Sequence, residues 1–405
     1  MLAYIIYFFF SIIMGIVLLF LSLFNYKIRQ NYFISHFQFF KLWHLKSLSG
    51  NKKILLFHAA SAGEYEQIQP ILRGLNRQDF FIIQTFTSPS IYNNVLSSSL
   101  YDIKLYHPFD ICWLSYLFFK IIDPDKYIIT RHDLWPGHIL MANWLNIPIY
   151  YINANIHKNS LWYKKYFRFI SRLIFKKINK IIVPSQEILN NILEFSPFSK
   201  LSIVSDTRFN QVIYLKNKKQ NKDLTINTSI TNTDIVVFGS IDQSDEKIIF
   251  NLLSLIKKTK KIILVPHEVD QKNITRIEHQ LNDLSLDYSL FSDSGFDLSK
   301  NILLIDCLGL LASLYALGSH AYVGGGFKRG VHSVLEPAAY GCLIACGPNI
   351  EMLDEAKLLY SKGYLVIIKH MDDLLKFINT DYIPREYLDY VTSEPTEMIN
   401  LLTSY

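Results

Sequence analysis

The chain has 405 residues, of which 50% are hydrophobic, and carries a formal net charge of +6 at pH 7. This hydrophobic share excludes a disordered protein, and the length exceeds one ordinary core, so two domains are expected. The charge is mild and no zinc-finger, RNP or basic-helix pattern accompanies it, which argues against a nucleic-acid-binding protein.

An apolar segment comes first along the chain. The run from Tyr4 to Phe24 holds no charged residue and, as a helix, is long enough for the hydrocarbon core of a bilayer. Lys27 and Arg29 follow directly, so the positive-inside rule places the body of the protein in the cytoplasm. Residues 1–30 are therefore predicted to be a membrane anchor. A buried core helix is the alternative, which a run that is apolar all round disfavours.

Residues 31–215 show the alternation of strands and helices that is typical of an α/β domain. Several apolar runs are nearly continuous, as expected for strands covered on both faces. The segment Glu64–Leu75 places its apolar residues on one helical face. The predicted strands are Ile54–His58, Phe80–Thr85, Ile103–Tyr106, Tyr127–Thr130, Ile147–Ile152, Ile181–Val183 and Leu201–Val204.

The segment His58–Gln67 (HAASAGEYEQ) joins the end of a strand, a turn of small residues and the start of a helix. Glu64, which begins the helix, is a candidate general base that takes a proton from an acceptor hydroxyl. The helix N-terminus favours its charged form, which keeps the carboxylate ionised but weakens it as a base. The alternative is that Glu64 only caps the helix. The spacing leaves both interpretations open.

A basic and aromatic segment lies between residues 158 and 180. It is suited to contact anionic headgroups and to bury aromatic rings at a membrane interface. An amphipathic helix with a solvated face is the alternative, and the neighbouring anchor favours the interface. The segment contains Lys158, Lys164, Lys165, Arg168, Arg172, Lys176, Lys177 and Lys180, interleaved with Trp162, Tyr163, Tyr166, Phe167 and Phe169.

A polar stretch without periodicity, residues 216–234, is predicted to be a linker. A second series of strands and helices follows and ends in C-terminal helices, which predicts a domain over residues 235–405. Together the two series predict an α/β protein with two doubly wound, Rossmann-like domains facing a cleft. The predicted strands of the second domain are Ile235–Phe238, Ile262–Val265, Ile302–Ile305, Ala321–Val323, Leu343–Cys346 and Leu365–Ile368.

The segment Gly324–Pro348 carries the most informative motif. Three consecutive glycines, Gly324–Gly326, allow a sharp turn and a close approach to a ligand. A helix is predicted to begin near His332–Ser333, with free N–H groups that favour an anion. Glu336 is placed to accept hydrogen bonds from sugar hydroxyls, and Gly341 ends the helix before a second buried strand. The ordered set predicts a nucleotide-sugar site.

Two further polar segments follow strands of the second domain. Ser240, with Asp242 and Ser244, forms a turn of small residues that suits a phosphate, although an ordinary N-cap is the alternative. His267 and Glu268 follow the next strand and would face the same cleft, although a lone histidine is more often structural. No Asp-x-Asp pair stands out as a seat for a divalent ion, which fits a donor whose leaving group carries a single phosphate.

In these motifs the chain resembles the 3-deoxy-D-manno-octulosonic acid (Kdo) transferases, membrane-anchored glycosyltransferases with the two-domain GT-B fold. The resemblance covers nearly the whole chain, including the anchor. Residues 58–64 are similar to the family's His-x-x-Ser-x-Gly-Glu segment. The segments that match in the same order are Leu134-Trp135-Pro136, Asn153, Asp206-Thr207-Arg208-Phe209 and the block from Gly324 to Pro348.

The resemblance implies transfer of Kdo from CMP-Kdo to a hydroxyl of a lipid A precursor, lipid IVA, in lipopolysaccharide biosynthesis. It implies an inverting displacement with Glu64 as the base and CMP leaving without a metal or other cofactor. It also implies a bacterial inner-membrane location, with the catalytic body on the cytoplasmic face. The implied donor-site residues are Ser240, His267, Gly325, His332 and Glu336, and the implied acceptor-side residues are Ser61, Gly63, Trp135 and Asn153.

Three segments depart from the family pattern. Arg131-His132-Asp133 stands where the family has Glu-Thr-Glu, and residues 153–157 lack the arginine and serine of Asn-x-Arg-x-Ser. Pro266-His267-Glu268 replaces Pro-Arg-His. These changes lie mainly on the acceptor side, so they bear on which acceptor is used and on the number of sugars added. The alternatives are another GT-B envelope glycosyltransferase with a UDP-sugar donor, a sugar-nucleotide epimerase of the same fold, and a non-catalytic membrane scaffold.

Overall fold

The computed structural model describes residues 2–42, 45–95, 99–197, 200–220, 235–255, 260–328, 330–381, 383 and 395–404. The chain divides into two compact units, one formed by Met1–Gln211 with Ser393–Tyr405 and the other by Val212–Thr392. Each unit contains one seven-stranded sheet in which all strand pairs are parallel. This confirms the predicted class, an α/β fold with two doubly wound sheets.

Three helices precede the first sheet: α1 (Leu2–Phe24), α2 (Tyr26–Leu42) and α3 (Leu45–Ser49). The stretch Tyr7–Phe24 of α1 is long and apolar enough to cross a membrane. Within α1, Ser11 and Ser22 are fully buried, whereas most of the large apolar side chains are exposed. One face of α1 therefore lies against the protein.

The sheet of the first unit has the strand order β3-β2-β1-β4-β5-β6-β7. Alternate residues of each strand enter opposite cores: Leu56 and Ile129 pack into one, Leu55 and Ile128 into the other. The strands are β1 (Lys53–His58), β2 (Phe80–Phe86), β3 (Ile103–Tyr106), β4 (Lys126–Thr130), β5 (Ile149–Ile152), β6 (Lys180–Val183) and β7 (Leu201–Ile203). The helices are α4 (Ala62–Gly74), α5 (Pro89–Asn94), α6 (Cys112–Ile122), α7 (Pro136–Trp144), α8 (Arg168–Phe175) and α9 (Gln186–Phe195), with 3₁₀ turns at Leu161–Tyr163 and Lys165–Phe167. Helix α10 (Arg208–Gln220) begins in the first unit and ends in the second.

The sheet of the second unit has the order β10-β11-β9-β8-β12-β13-β14. Its strands are β8 (Ile235–Ile241), β9 (Lys261–Pro266), β10 (Tyr288–Leu290), β11 (Ile302–Leu304), β12 (His320–Val323), β13 (Leu343–Cys346) and β14 (Leu365–Ile367). Its helices are α11 (Gln243–Leu253), α12 (Gln271–Asp283), α13 (Phe291–Ser294), α14 (Leu311–Leu314), α15 (Leu335–Ala339), α16 (Asp354–Ser361) and α17 (Met371–Ile378), with a 3₁₀ turn at Tyr315–Leu317.

The last helix, α18 (Thr396–Thr403), belongs to the first unit, whereas the sequence predicted that residues 235–405 form one domain. Met398 and Leu402 are fully buried in the core that lies beneath α4. Lys126 at the start of β4 donates hydrogen bonds of 2.7 Å to the carbonyls of Leu402 and Ser404. Apolar burial and this buried ammonium hold the segment on the first sheet.

The linker also differs from its prediction. Residues 216–220 continue helix α10, and the Lys216 ammonium donates a hydrogen bond of 2.6 Å to the carbonyl of Ala339. The rest of the predicted linker, residues 221–234, lies outside the described residues. Lysine and glutamine are good helix formers, so a polar composition does not exclude a helix.

Candidate active site

The candidate base Glu64 lies where the strand order of the first sheet reverses. Strands β1 and β4 are neighbours at the centre, and the chain proceeds outward from them in opposite directions. Ligands of open α/β sheets bind outside the carboxyl ends of the strands at such a point. Glu64 follows β1 and Asp133 follows β4, so the sheet places both carboxylates at this edge.

Glu64 caps its own helix. Ser61 is the N-cap of α4 and accepts the N–H of Glu64 at 3.5 Å. In return, Oε2 of Glu64 accepts the N–H groups of Ala60 at 2.7 Å and of Ser61 at 3.1 Å. Glu64 therefore does cap its helix, as one of the two interpretations predicted, and it is only 6% exposed.

The pKa of Glu64 is nevertheless raised above its ordinary value. Burial is the largest cause and the negative charge of Asp133 is the second, whereas His58 and the two backbone N–H groups act in the opposite direction. Burial and the Asp133 charge thus outweigh the helix N-terminus, which was expected to lower the pKa of Glu64 and weaken it as a base. A carboxylate with a raised pKa is a stronger base, so capping leaves Glu64 suited to accept a proton.

Asp133 is a second, firmly ionised carboxylate. Its Oδ2 lies 2.7 Å from Nε2 of His58 and accepts the Thr87 hydroxyl at 3.1 Å, while Oδ1 accepts the indole N–H of Trp135 at 2.6 Å. Burial would raise the pKa of Asp133, but these hydrogen bonds and the charge of His58 hold it below its usual range. The two environments therefore shift the pKa values of Glu64 and Asp133 in opposite directions, which is typical of sites that contain both a base and a permanently ionised carboxylate.

Two further histidines pack behind His58. The ring centroids of His58 and His107 are 4.1 Å apart, and those of His107 and His138 are also 4.1 Å apart. Nε2 of His107 lies 2.9 Å from the hydroxyl of Tyr127. Complete burial, and then the neighbouring histidines, lower the pKa of His107 well below its usual range, so His107 is neutral near pH 7.

The acceptor-side residues are placed in two ways. Ser61 and Gly63 are exposed at the start of α4, and Trp135 is 42% exposed. Asn153 is only 2% exposed, and its Nδ2 donates to the Thr207 hydroxyl at 3.1 Å. The structure therefore brings Ser61, Gly63 and Trp135 to the surface, whereas Asn153 supports the loop from within.

Next to Asp133, the segment Arg131–His132 carries one positive charge, that of Arg131. Arg131 has φ 59, and its Nε donates to Nε2 of His132 at 3.1 Å. Partial desolvation, followed by the charges of Arg131, His157 and Arg208, lowers the pKa of His132 to about 4. His132 is therefore neutral near pH 7, and arginine charge lies where the family has a carboxylate.

In the second unit, the segments after β8 and β12 meet at the corresponding reversal of strand order. The register between β8 and β9 shifts between Gly239 and Ile241, and Ser240 has φ 53, so Ser240 forms a bulge. A Cβ on Gly324 would lie 2.3 Å from the carbonyl oxygen of Ser240. Only glycine allows this approach, so the sheet brings the Ser240 segment and the glycine turn into contact.

The first two N–H groups of the glycine turn bond within the protein. Gly324 donates to the carbonyl of Gly239 at 2.9 Å, and Gly325 donates to Oδ2 of Asp245 at 2.8 Å. The Tyr322 hydroxyl donates to the other Asp245 oxygen, also at 2.8 Å. The turn is therefore fixed by Asp245, which the sequence analysis missed. The signal for it was the spacing from Asp242, because the two residues form a capping box at the start of α11.

His267 and His332 stack, with ring centroids 4.1 Å apart and planes inclined by 17°. Burial, and then the proximity of His267, lower the pKa of His332. Both rings line a cavity of about 460 Å³, a size typical of small-ligand sites. The other residues that line it are Ile241, Asp242, Gln243, Ser244, Pro266, Glu268, Asp270, Lys272, Asn273, Arg276 and Lys328.

The helix that carries Glu336 begins at Leu335 and spans five residues, so the predicted start near His332–Ser333 was wrong. The backbone of His332 instead donates to the carbonyl of Gly324 at 3.1 Å, which keeps that segment on the glycine turn. The Ser333 hydroxyl donates to Oε2 of Glu336 at 2.5 Å. Burial, and then the charge of Glu336, raise the pKa of Tyr315, whose hydroxyl lies against Gly239 at the end of β8.

Metal-ligating side chains do not cluster in the described part of the chain. No group of three or more His, Cys, Asp or Glu side chains among those residues is arranged to hold a metal ion. The His58–Asp133 and His267–His332 pairs are each too small for such a site.

Comparisons with known proteins point to one family. The family model described as 3-deoxy-D-manno-octulosonic-acid transferase (kdotransferase) matches residues 35–211. The 3-deoxy-D-manno-octulosonic acid transferase of Aquifex aeolicus is 27% identical over 321 residues, which cover 78% of this chain and 82% of the relative. The enzyme of the same name from Rickettsia bellii is 26% identical over 355 residues, or 82% and 80% of the two chains.

Among solved structures, the UDP-GlcNAc 2-epimerase of Neisseria meningitidis bound to UDP-GlcNAc has the same fold. It superposes with a TM-score of 0.56 and 14% identity, covering 87% of this chain and 100% of that chain. At this identity the likeness concerns the fold alone, which is of the GT-B type.

Proposed function

Because the chain belongs to the 3-deoxy-D-manno-octulosonic acid (Kdo) transferase family, we propose that it transfers Kdo from CMP-Kdo to a hydroxyl of lipid IVA. The observation that carries this proposal is the position of two carboxylates after the neighbouring strands β1 and β4: Glu64, buried and held by two backbone N–H groups, and Asp133, whose charge helps to raise the pKa of Glu64.

In the proposed reaction, the acceptor hydroxyl oxygen forms a bond to the anomeric carbon of Kdo. The bond from that carbon to the CMP phosphate oxygen breaks, and CMP leaves with the electron pair. Glu64 accepts the hydroxyl proton as the new bond forms, and the configuration at the anomeric carbon is inverted. The raised pKa of Glu64 supports this role, and its two backbone hydrogen bonds fix the carboxylate in place.

We assign the donor site to the second unit. Lys272 and Lys328 are among the residues that line the cavity beside His267 and His332, and their ammonium groups suit a phosphate. Ser240 precedes the lining residue Ile241, and Gly325 lies against the ring of His332, so both shape the backbone beside the cavity. Glu336, which is not among the residues that line the cavity, is the proposed partner of the ribose hydroxyls. The reaction needs no metal in this proposal, because the phosphate of CMP is already a competent leaving group.

The acceptor side is assigned to Ser61, Gly63 and Trp135, with Asn153 supporting the loop. A membrane location fits a lipid acceptor: α1 provides an apolar surface, and Tyr166, just before α8, and Phe169, in its first turn, are 75% and 72% exposed. We therefore propose that the protein is anchored to the bacterial inner membrane by its N-terminal helix and acts on the cytoplasmic face.

The direct test is to incubate membranes that contain the protein with CMP-Kdo and lipid IVA and to weigh the lipid product. A gain in multiples of one Kdo mass supports the proposal and also gives the number of sugars added. Donor identity is tested separately by thermal unfolding: at 100 times its Kd, a ligand stabilises the folded state by about 2.7 kcal/mol. CMP is expected to protect the protein and UDP is not. Protection by UDP with no lipid product would favour a UDP-sugar transferase or an epimerase.

A further inference from the structure

The cavity of the second unit contains two histidine rings that stack on each other. The ring centroids of His267 and His332 are 4.1 Å apart, and both residues line the cavity. Backbone hydrogen bonds fix them, because the N–H of His267 donates to the carbonyl of Ile241 at 2.9 Å and that of His332 to the carbonyl of Gly324 at 3.1 Å. Among the described residues, none forms a hydrogen bond with a ring nitrogen of either histidine. The ring nitrogens are therefore available to a ligand.

The stacked pair is suited to hold one proton. Burial, and then the proximity of His267, lower the pKa of His332, while the charge of Asp242 acts in the opposite direction. His332 is therefore neutral near pH 7 in the free protein. A bound anion changes this balance, because a negative charge close to an imidazole favours its protonated form. A second proton on the stack is opposed by the first, because like charges repel at the distance between the rings.

With neutral histidines, the side chains that line the cavity carry no net charge. Three of them are cationic, Lys272, Arg276 and Lys328, and three are carboxylates, Asp242, Glu268 and Asp270. The guanidinium of Arg276 is already paired with Glu246 at 2.6 Å. The lining therefore offers a phosphate dianion no excess of positive charge.

The helix N-termini at the cavity do not supply the missing charge. Asp242 caps α11 and accepts the N–H of Ser244 at 2.7 Å, and Asp270 caps α12 and accepts the N–H of Asn273 at 2.8 Å. The two carboxylates thus offset the positive ends of both helices. Burial would raise the pKa of Asp242, but hydrogen bonds from Ser244 hold it below its usual range, so this carboxylate stays ionised. The histidines are the lining groups whose ordinary titration range is nearest to neutral pH.

The charge of the phosphate changes during the proposed reaction. In CMP-Kdo the phosphate is a diester, which carries one negative charge. When the bond between the anomeric carbon and the phosphate oxygen breaks, that oxygen keeps the electron pair. The phosphate of CMP then carries a second negative charge at neutral pH, because the second pKa of a phosphate monoester is about 6. A site that gains a positive charge at the same time stabilises the leaving group.

We propose that the His267–His332 pair takes up one proton from solvent together with the phosphate of CMP and so stabilises the leaving group of the transfer. The proton that Glu64 accepts from the acceptor hydroxyl is a different one, so each new charge of the reaction has its own partner. The proposal rests on the proposed function for its place in the reaction. Its binding test needs only CMP and related ligands.

The first experiment is calorimetric titration of the full-length protein in detergent, in buffers that differ in ionisation enthalpy, at about pH 7.5, where the phosphate of CMP is a dianion. The dependence of the binding enthalpy on the buffer gives the number of protons taken up. CMP is expected to bring at least about half a proton more than cytidine, which has no phosphate, and a smaller difference would overturn the proposal. The methyl ester of CMP, which carries one charge as the donor does, is expected to bring less than CMP. Equal uptake with this ester would refute the link to the leaving group.

Variants assign the proton to the pair. The double variant His267→Gln with His332→Gln is expected to abolish the uptake and to weaken CMP binding about tenfold or more. His267→Arg supplies a permanent charge, so it is expected to bind CMP without proton uptake. The control is His279→Gln, on the exposed side of α12, which is expected to change neither quantity. Uptake that persists in the double variant, or in His267→Arg, would place the proton elsewhere and refute the assignment.

The pH dependence of CMP affinity gives a second measurement. Because a bound anion raises the pKa of the pair in the complex, CMP affinity is expected to fall as the pH rises through that pKa, by up to about tenfold per pH unit. In His267→Arg the affinity is expected to stay nearly constant between neutral and mildly alkaline pH. Parallel profiles for the two proteins would contradict the proposal, because a purely structural role of His267 predicts them.

The two proposals fail in different ways. If the natural protein transfers no Kdo but binds CMP with proton uptake, the proposed function is wrong and the role of the histidine pair stands. If it transfers Kdo and binds CMP without proton uptake, only the role of the pair is wrong. If it does not bind CMP, the assignment of the donor site and the role of the pair are both wrong.

Discussion

Replacement of Glu64 separates its two roles. Glu64→Gln keeps a side-chain oxygen that accepts the N–H groups of Ala60 and Ser61, because glutamine serves at the N3 position of a capping box as glutamate does. It removes the ability to take a proton. Glu64→Ala removes both functions. Glu66, which lies on the exposed side of the same helix, provides the control Glu66→Gln.

The expected magnitudes follow from these contacts. Loss of a positioned general base lowers the rate by about 10²–10⁴-fold, so both Glu64 variants are expected to lose at least about 99% of kcat. Loss of the cap costs about 1 kcal/mol, so only Glu64→Ala is expected to unfold about 2–4 °C lower. Glu66→Gln is expected to change neither quantity.

The assay is single-turnover transfer from CMP-Kdo to lipid IVA, measured by the mass of the lipid, beside thermal unfolding of the same preparations with and without CMP. Protection by CMP is expected to survive in both Glu64 variants. A Glu64→Gln protein that transfers Kdo within about threefold of the natural rate would refute the base assignment. It would leave Glu64 as a capping residue only.

Three further changes test other parts of the structure. Transfer requires ionised Glu64 and so declines as the pH falls through the raised pKa of that carboxyl. Asp133→Asn removes one cause of the raised pKa, so the acid limb of the pH profile is expected to move to lower pH. An acid limb that stays in place would argue against coupling of the two carboxylates. Gly325→Ala, at φ 88 with a Cβ 2.6 Å from the carbonyl of Gly330, is expected to cost about 1–3 kcal/mol in urea unfolding and to weaken CMP binding. The control is Gly363→Ala: Gly363 has φ 72, and an added Cβ would meet no neighbouring atom. This variant is expected to lower the free energy of unfolding by about 1 kcal/mol and to leave CMP binding unchanged. Equal CMP affinities of the two variants would count against the role of the glycine turn. Met398→Ala is expected to destabilise the first unit by about 2–5 kcal/mol, measured by hydrogen exchange in the first sheet, and unchanged protection there would mean that α18 is dispensable.

Most strands were predictable because parallel sheets bury both faces of each strand and so demand continuous apolar runs. The exception is β10, Tyr288–Leu290, which has three residues, carries a serine at its centre and lies at the edge of its sheet. A run so short has no recognisable pattern. The start of α15 was also predicted three residues too early, because the hydrogen bond from His332 to Gly324 is a tertiary contact that helix propensity does not reveal.

The candidate site was predictable only where its residues are neighbours along the chain. Glu64 and the glycine turn each lie in one short motif, and each follows the carboxyl end of a strand in the sheet of its own unit. The Asp133–His58 pair joins residues 75 positions apart, and Asp245 reaches Gly325 across 80 positions. The pKa of Glu64 depends on Asp133, which belongs to the first of these long-range pairs. The local sequence therefore indicated the helix N-terminus, which lowers the pKa of Glu64, but not the Asp133 charge, which raises it.

The return of α18 to the first sheet has a consequence for biosynthesis. A ribosome releases the strands of the first sheet early, yet Met398 and Leu402, which complete one of its cores, emerge only after the whole of the second unit. Until then Leu72 and its neighbours on α4 remain partly uncovered, and exposed apolar surface on a nascent chain favours aggregation. Under the proposed membrane location, insertion of α1 into the bilayer during translation would hold this unfinished intermediate at the membrane, apart from other nascent chains, until its last helix arrives.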